Sequence, residues 1–430
     1  MSWTCSLLSS LARTKSTSRS RTVPKLGIIW TRWQHVAAGS IEEPAPDFAQ
    51  QLESMKTRHM PTDEGPWDGF NIRALRKTLQ SHLSLSDLRP PNSVPPGYHQ
   101  VSFNSLPYEH ELGHDGAEKR HAPSDEWKYR VWAGGYMEFQ IPSIWTARPK
   151  FVAVKERITD TRLVGDLTSE NAKVFVTLTR TLFPAMVDAR GKPVRRRLGG
   201  LRATNRRDNI VLKEEKYLCF MREIPEGLKS TAPPRILKPP SNPVYSQSMI
   251  PSPTLLFRFS ALSRNAHAIH LDADYTRQVY GLPKLIVHGP LTSVLMLDIL
   301  GEALALHTVG KPYTLAIRTF QYKNLLPLFV NEQITIACKK VHDIQPQGTK
   351  FRTAFGATWE KWEVWIQKGA GGDATTAVRG SAWVSPVSHP GSEAAAKVAA
   401  EAPAPSTEDS QDQYLIDEEE EQAASGASEG

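Results

Sequence analysis

Acidic residues are missing from the first 40 positions of this chain, and basic residues are missing after Lys397. Cysteine is scarce: Cys5, Cys219 and Cys338 stand far apart, with no CxxC pair. That excludes a disulfide framework and points to a reducing compartment. No uninterrupted apolar run is long enough to span a bilayer. The nearest candidate, Leu285 to Leu306, is broken by His288, Pro290, Asp298 and Glu302 and reads as a buried core helix. A soluble protein without membrane contact is expected. There is no GxxxxGK[ST] phosphate loop and no Gly-x-Ser-x-Gly elbow, which removes two large enzyme classes. The net charge of +7 could suggest nucleic acid, but much of it sits in the N-terminal arm and one loop, and no recognition motif accompanies it.

What is present divides the chain. Arg13, Lys15, Arg19, Arg21, Lys25 and Arg32 punctuate a Ser/Thr-rich arm without acids, the composition of a mitochondrial transit peptide, assigned to residues 1–41. The bland alternative is a basic arm that binds acidic surfaces. At the other end, residues 385–430 close on Asp417 and Glu418 to Glu421 among Ala, Pro, Ser and Gly, and read as an acidic disordered tail. Prolines 225, 233, 234, 239, 240, 243, 251 and 253 forbid a helix and a central strand alike, so 225–253 reads as a linker. It separates an N-terminal domain, 42–224, from a C-terminal domain, 254–384.

In the first domain, Phe70 to Ser86 has helical spacing, and strands are expected at Met137 to Ile141, Phe151 to Leu163 and Lys173 to Leu182. A basic loop runs through Arg190, Lys192, Arg195 to Arg197, Arg202, Arg206 and Arg207, either solvated or a patch for phosphate or an acidic partner. In the second domain a strand is expected at Thr254 to Phe259. Asp272 is placed to cap a short helix ending at Gly281, and Pro290 to open a long helix apolar on nearly every side. Strands follow at Tyr313 to Tyr322, Gln333 to Val341, Phe351 to Gln367 and Thr376 to Val384. A long apolar helix followed by antiparallel strands implies an α+β hot-dog arrangement, a sheet wrapped around a helix.

The stretch Ser263 to Asp272, SRNAHAIHLD, concentrates two histidines, an amide and a carboxylate, and is followed by Ile286 to Thr292, IVHGPLT. Together they resemble the hydratase motif of MaoC-like hot-dog enzymes. The resemblance is closer to the branch of fungal mitochondrial 3-hydroxyacyl-thioester dehydratases type 2, with relatives among mesaconyl-C4-CoA hydratase-like proteins. Trp132-Ala133-Gly134-Gly135 and the run Asn324 to Phe329 resemble further signatures of that branch. The resemblance implies a double hot dog, two fused domains each with a sheet around a central helix, with the catalytic residues in the second. It also implies acyl carrier protein or CoA thioesters as partners, mitochondrial type II fatty-acid synthesis as the setting in the matrix, no cofactor or metal, and room for a homodimer.

Dehydrating a (3R)-hydroxyacyl thioester to a trans-2-enoyl thioester requires a base at C2, a proton for the departing hydroxyl and a donor to the thioester oxygen. The resemblance places His270 as the catalytic histidine and Gly289 as the residue whose backbone N–H serves as oxyanion donor. Its catalytic aspartate is Asn265 here, and its motif asparagine is His267. An amide cannot exchange a proton near neutrality, so Asn265 is expected to position the hydroxyl. His267 is taken as auxiliary and, with His288 and Pro290, as lining the substrate. Two alternatives stay open: a CoA-linked hydratase of a branched or diacid substrate, with Arg258 or Arg318 available for a carboxylate, and an inactive acyl-thioester-binding protein. Zinc on His267, His270, Asp272 and His288 is a weaker option, since no second ligand cluster accompanies them.

Overall fold

The computed structural model describes residues 46–60, 63–66, 69–86, 94–139, 151–184, 210–223, 237–344, 359–369 and 371–388, all within one unit spanning Gly39–Ala404. In chain order these form α1 (Pro46–Met55), β1 (Asp63–Pro66), α2 (Gly69–Gln80), β2 (Tyr129–Phe139), β3 (Phe151–Val164), β4 (Lys173–Pro184) and β5 (Leu212–Met221). The second half holds β6 (Tyr245–Met249), α3 (Pro253–Ser263), α4 (Ala273–Gln278), α5 (Gly289–His307), β7 (Tyr313–Asn324), β8 (Ile334–Ile344), β9 (Trp359–Lys368) and β10 (Thr375–Ser388).

The strands make one antiparallel sheet in the order β1-β3-β4-β5-β2-β7-β10-β9-β8-β6. Read outward from the central β2–β7 seam, the halves match strand for strand: β2-β5-β4-β3-β1 on one side, β7-β10-β9-β8-β6 on the other. Each half also places a helix just after its first strand, α2 after β1 and α3 after β6. This is a double hot dog, and the duplication lies in topology rather than in any sequence repeat. The halves differ in one respect. The second is wound around α5, whose Leu291, Val294, Leu295, Leu297, Ile299 and Leu300 are fully buried. In the first, the described residues between α2 and β2 hold only single-turn 3-10 segments, Tyr98–Val101 and Glu109–Glu111.

Pro290 opens α5 as expected, because a residue in the first turn has no intrahelical acceptor to lose. By length and hydropathy α5 could cross a membrane, but most of it is enclosed by the sheet. Its two acids are not stray charges. Tyr98 donates from its hydroxyl to Asp298 (2.9 Å), the Ser86 N–H donates to Glu302 (3.1 Å), and Arg76 on α2 lies 3.5 and 3.6 Å from the two carboxylates. The first half is thereby fastened to the helix of the second.

Four expectations are corrected. A central helix is expected in each half, but among the described residues only the second half has one, because the first half's counterpart stretch holds 3-10 turns alone. Thr254 to Phe259 is helical, within α3: Ser252 accepts from the Leu255 N–H (3.0 Å) as an N-cap, and Pro253 follows it. The linker 225–253 is not irregular throughout, because its Tyr245–Met249 pairs with β8 as an edge strand. The tail boundary at 385 is too early, since β10 pairs through Ser388 with Tyr313. The transit-like arm, the arginine loop at 190–207 and the tail beyond Ser388 lie outside the described residues.

The Trp-Ala-Gly-Gly run sits on the seam. A Cβ at Gly134 would stand 2.2 Å from the Tyr322 carbonyl oxygen, and one at Gly135 would stand 2.7 Å from that of Glu215. Side chains at these positions would push β2 off its neighbours on either side.

Candidate active site

The site is assembled where α3, the 265–272 turn and the N-terminus of α5 meet. His270 ends a one-turn 3-10 helix, Ala268–His270, and is buried. Its Nδ1 lies 2.8 Å from the Ile286 carbonyl oxygen, which can only accept, so Nδ1 carries the proton and Nε2 is left with a lone pair. Burial, with His267 nearby, lowers its pKa to about 3, so the ring is neutral at physiological pH. A neutral imidazole of fixed tautomer is the form a general base requires.

His288 stacks on His270 with ring centroids 3.7 Å apart and planes 21° apart. It is fully buried, and Ser260 lies 2.8 Å from its Nε2, while its Nδ1 has no hydrogen-bond partner among the described residues. His288 is the N-cap residue of α5, so this stack sets the His270 ring beside the start of that helix. The Gly289 N–H is among the four that an α-helix leaves without an internal acceptor, at its electropositive end. Gly289 and Pro290 are only half-buried. Trp132 explains the glycine: a Cβ at residue 289 would lie 2.6 Å from Trp132 Cγ. Trp132 is held from the other side by Tyr322, whose hydroxyl accepts from the indole N–H at 2.9 Å, and its carbonyl accepts from Asn324 at 3.0 Å. Asn324 in turn accepts from Thr292 in the first turn of α5 (3.1 Å). Residues of both halves thus fix the amide that opens the helix.

Asn265 is half-buried, and its Oδ1 accepts from the His267 N–H (3.2 Å), so the amide shapes the turn. Asp272 caps α4, accepting from Asp274 N and Tyr275 N at 2.9 Å each, and is not available as a substitute acid. The zinc alternative fails on geometry: the rings of His270 and His288 lie face to face instead of converging on a point. Arg258 is exposed on α3, whereas Arg318 is buried and lies 5.7 Å from the Trp359 ring centre. A surface groove of about 440 Å³ lined by His59, Leu106, Glu111, Glu118, Lys119 and Arg120 contains none of the site residues.

One residue escaped the sequence reading. His267 Nε2 lies 3.0 Å from Asp115 Oδ2, and both side chains are nearly inaccessible. Asp115 belongs to the first half, in the Gly-His-Asp-Gly turn at 113–116. That turn docks on the motif: the Ala268 N–H donates to the Asp115 carbonyl (2.8 Å), and Gly116, with φ of 74°, would bring a Cβ to 2.3 Å from the Ala266 oxygen. Burial alone would raise the Asp115 carboxyl, but the His267 hydrogen bond and charge overcome it and hold the pKa at about 2. His267 itself is lowered, chiefly by burial against the opposing pull of Asp115.

The buried histidines have a consequence for stability. His270 and His288 are both held well below the usual imidazole range, mainly by desolvation. The unfolded chain takes up these protons near pH 6.5 and the folded protein does not, so stability is full above that pH and falls as the solution is acidified. Each group contributes a slope of up to about 1.4 kcal/mol per pH unit. The urea midpoint at pH 5 is therefore expected well below that at pH 7.5. Equal midpoints would show that the rings ionise in the folded state.

The hydroxyacyl-thioester dehydratase type 2 family model matches residues 97–330, more than half of the chain. The mitochondrial hydroxyacyl-thioester dehydratase type 2 of Schizosaccharomyces pombe is 24% identical over 295 residues, covering 64% of this chain and 88% of that protein. The mesaconyl-C(4)-CoA hydratase of Chloroflexus aurantiacus is 33% identical over 154 residues, covering 35% of this chain and 51% of that protein, so the match spans about half of its length. Among solved structures, a MaoC-like dehydratase from Phytophthora capsici has a TM-score of 0.47 at 13% identity, covering 77% of this chain and 97% of that one. A double hot-dog protein from Mycobacterium tuberculosis has a TM-score of 0.39 at 10% identity, covering 80% and 92%. Because the family model matches more than half of the chain, taking in parts of both halves, this chain belongs to the hydroxyacyl-thioester dehydratase type 2 family.

Proposed function

We propose that the chain is a hydro-lyase that interconverts (3R)-hydroxyacyl and trans-2-enoyl thioesters, with acyl carrier protein as the acyl carrier, in the mitochondrial matrix. The observation that carries this reading is the fixed tautomer of His270: its Nδ1–H is spent on Ile286, and its Nε2 lone pair is free to take the C2 proton. The first N–H of α5, that of Gly289, would hold the thioester oxygen as negative charge develops. Asn265, with Oδ1 engaged in the turn, keeps an NH₂ that can donate to the hydroxyl. His288 backs the catalytic ring, and Pro290 pre-forms the helix turn beneath the oxygen.

The second reading, a CoA-linked hydratase, is favoured by the 33% identity to the Chloroflexus aurantiacus enzyme. Following the enoyl absorbance with the same acyl chain on carrier protein and on CoA separates the two. Turnover on carrier protein at least tenfold above that on CoA is expected. The reverse order assigns the CoA reading, and no turnover on either carrier removes the enzymatic one.

A further inference from the structure

Dehydration needs two proton events, and the residue where the family motif has its acid is an amide that cannot supply one. We propose that the Asp115–His267 pair supplies it, with His267 as the catalytic acid toward the departing hydroxyl and Asp115, from the other half of the molecule, as the positioning residue that fixes it. The inference rests on the dehydratase reading above.

The geometry is that of an oriented imidazole. Asp115 Oδ2 accepts from His267 Nε2–H, and its Oδ1 accepts from the Ala117 N–H at 3.0 Å, so the carboxylate is itself held at both oxygens. With Nε2 committed, Nδ1 is the nitrogen left to exchange a proton, and an adjacent carboxylate stabilises the imidazolium that this requires. The His267 ring meets that of His270 edge to face, centroids 5.7 Å apart, so the two imidazoles belong to one cluster. The groups around His267 are Asp115 and His114 from the 113–117 turn, Arg130 from β2, Tyr280 after α4 (hydroxyl 3.4 Å from Nε2) and His270. Among them Asp115 is the one anion.

The step balances with two histidines. The C2–H bond breaks, its proton going to His270 Nε2 and its electron pair into the C2–C3 double bond. The C3–O bond breaks, its pair leaving with oxygen, and the oxygen takes the Nδ1 proton of the His267 imidazolium to depart as water. His270 ends protonated and His267 neutral, its resting form; before the next turnover His270 releases its proton to solvent and His267 takes one up at Nδ1, with the Asp115 carboxylate stabilising the imidazolium against the burial that disfavours it. Hydration runs the same steps in reverse. An enzyme of this kind needs both halves for its site, although the motif lies in one.

The test separates the two proton events. In D2O, a saturated acyl thioester can exchange its C2 hydrogen through His270 but has no hydroxyl to lose. Asp115→Asn is expected to lower dehydration of the 3-hydroxyacyl thioester by about 10²-fold while C2 exchange on the saturated thioester stays within about threefold of wild type. Asp115→Glu should restore part of the loss, and His267→Gln should give the same split without touching the carboxylate, which covers the case in which Asp115→Asn fails to fold. A parallel fall of exchange and dehydration would show a purely structural contact, and unchanged dehydration would show no role; either overturns the proposal. Wild-type protein that neither exchanges nor dehydrates would instead sink the dehydratase reading.

Discussion

His270→Asn is expected to lower kcat for dehydration by about 10²–10⁴-fold, the usual contribution of a positioned acid–base group, with KM little changed. Asparagine is chosen because its amide can still donate to the Ile286 carbonyl, which the imidazole Nδ1–H now occupies at 2.8 Å. The turn at 268–270 should hold, and the urea midpoint should move little. What the variant lacks is the second nitrogen, the one with a lone pair at neutral pH. Steady-state kinetics on the purified variant provide the check: a kcat within threefold of wild type would mean that another group takes the C2 proton.

The second large effect concerns stability. A charged belt crosses one face of the sheet in the first half. Arg180 on β4 pairs with Glu156 on β3 (3.3 Å) and Glu214 on β5 (3.2 Å), and donates to the Phe103 carbonyl at 2.7 Å. His99 lies 3.3 Å from Glu214, and His121 lies 2.8 Å from Glu156. Lys216 stands 5.3 Å over the Trp132 ring, its pKa lowered to about 8 by burial and by Arg180. Arg180→Met leaves the buried Glu214 and the half-buried Glu156 short of their shared cation. The expected cost is about 3–5 kcal/mol, or a fall in Tm on the order of 10 °C, read by calorimetry. Glu156 sits at a pKa of about 2 because His121 and Arg180 outweigh its burial, so the belt's stabilisation is present above the ordinary carboxylate range and lost as pH falls toward 2. A Tm within 2 °C of wild type would show that the belt is wet and its charges screened.

The parts of the fold that were legible in sequence are those with local causes. Asp272 followed by a short helix and Gly281 is a cap-to-cap unit, and the structure shows the cap bonds and a φ of 63° at Gly281. The apolar helix behind Gly289-Pro290 was legible for the same reason. Thr254 to Phe259 was misread because six apolar-rich residues fit strand and helix equally. The deciding signal was the Ser252-Pro253 start just outside the window. Asp115 could not be read at all. Its partnership with His267 spans about 150 positions and depends on a turn docking across the halves, so no spacing rule reaches it. The two glycines around His114 and Asp115 were the one local hint, since glycine permits close backbone approach. The charged belt was equally hidden: Glu156, Arg180 and Glu214 look like ordinary outward positions until three strands align them on one face.

The most direct test of the central claim is hydration of a trans-2-enoyl thioester in D2O, comparing wild type with His270→Asn and reading deuterium at C2 by NMR. The account expects wild type to yield 3-hydroxyacyl thioester carrying one deuterium at C2, placed on a single face, and the variant to yield product about 10²–10⁴-fold more slowly. Stereospecific C2 labelling by the variant at the wild-type rate would contradict it.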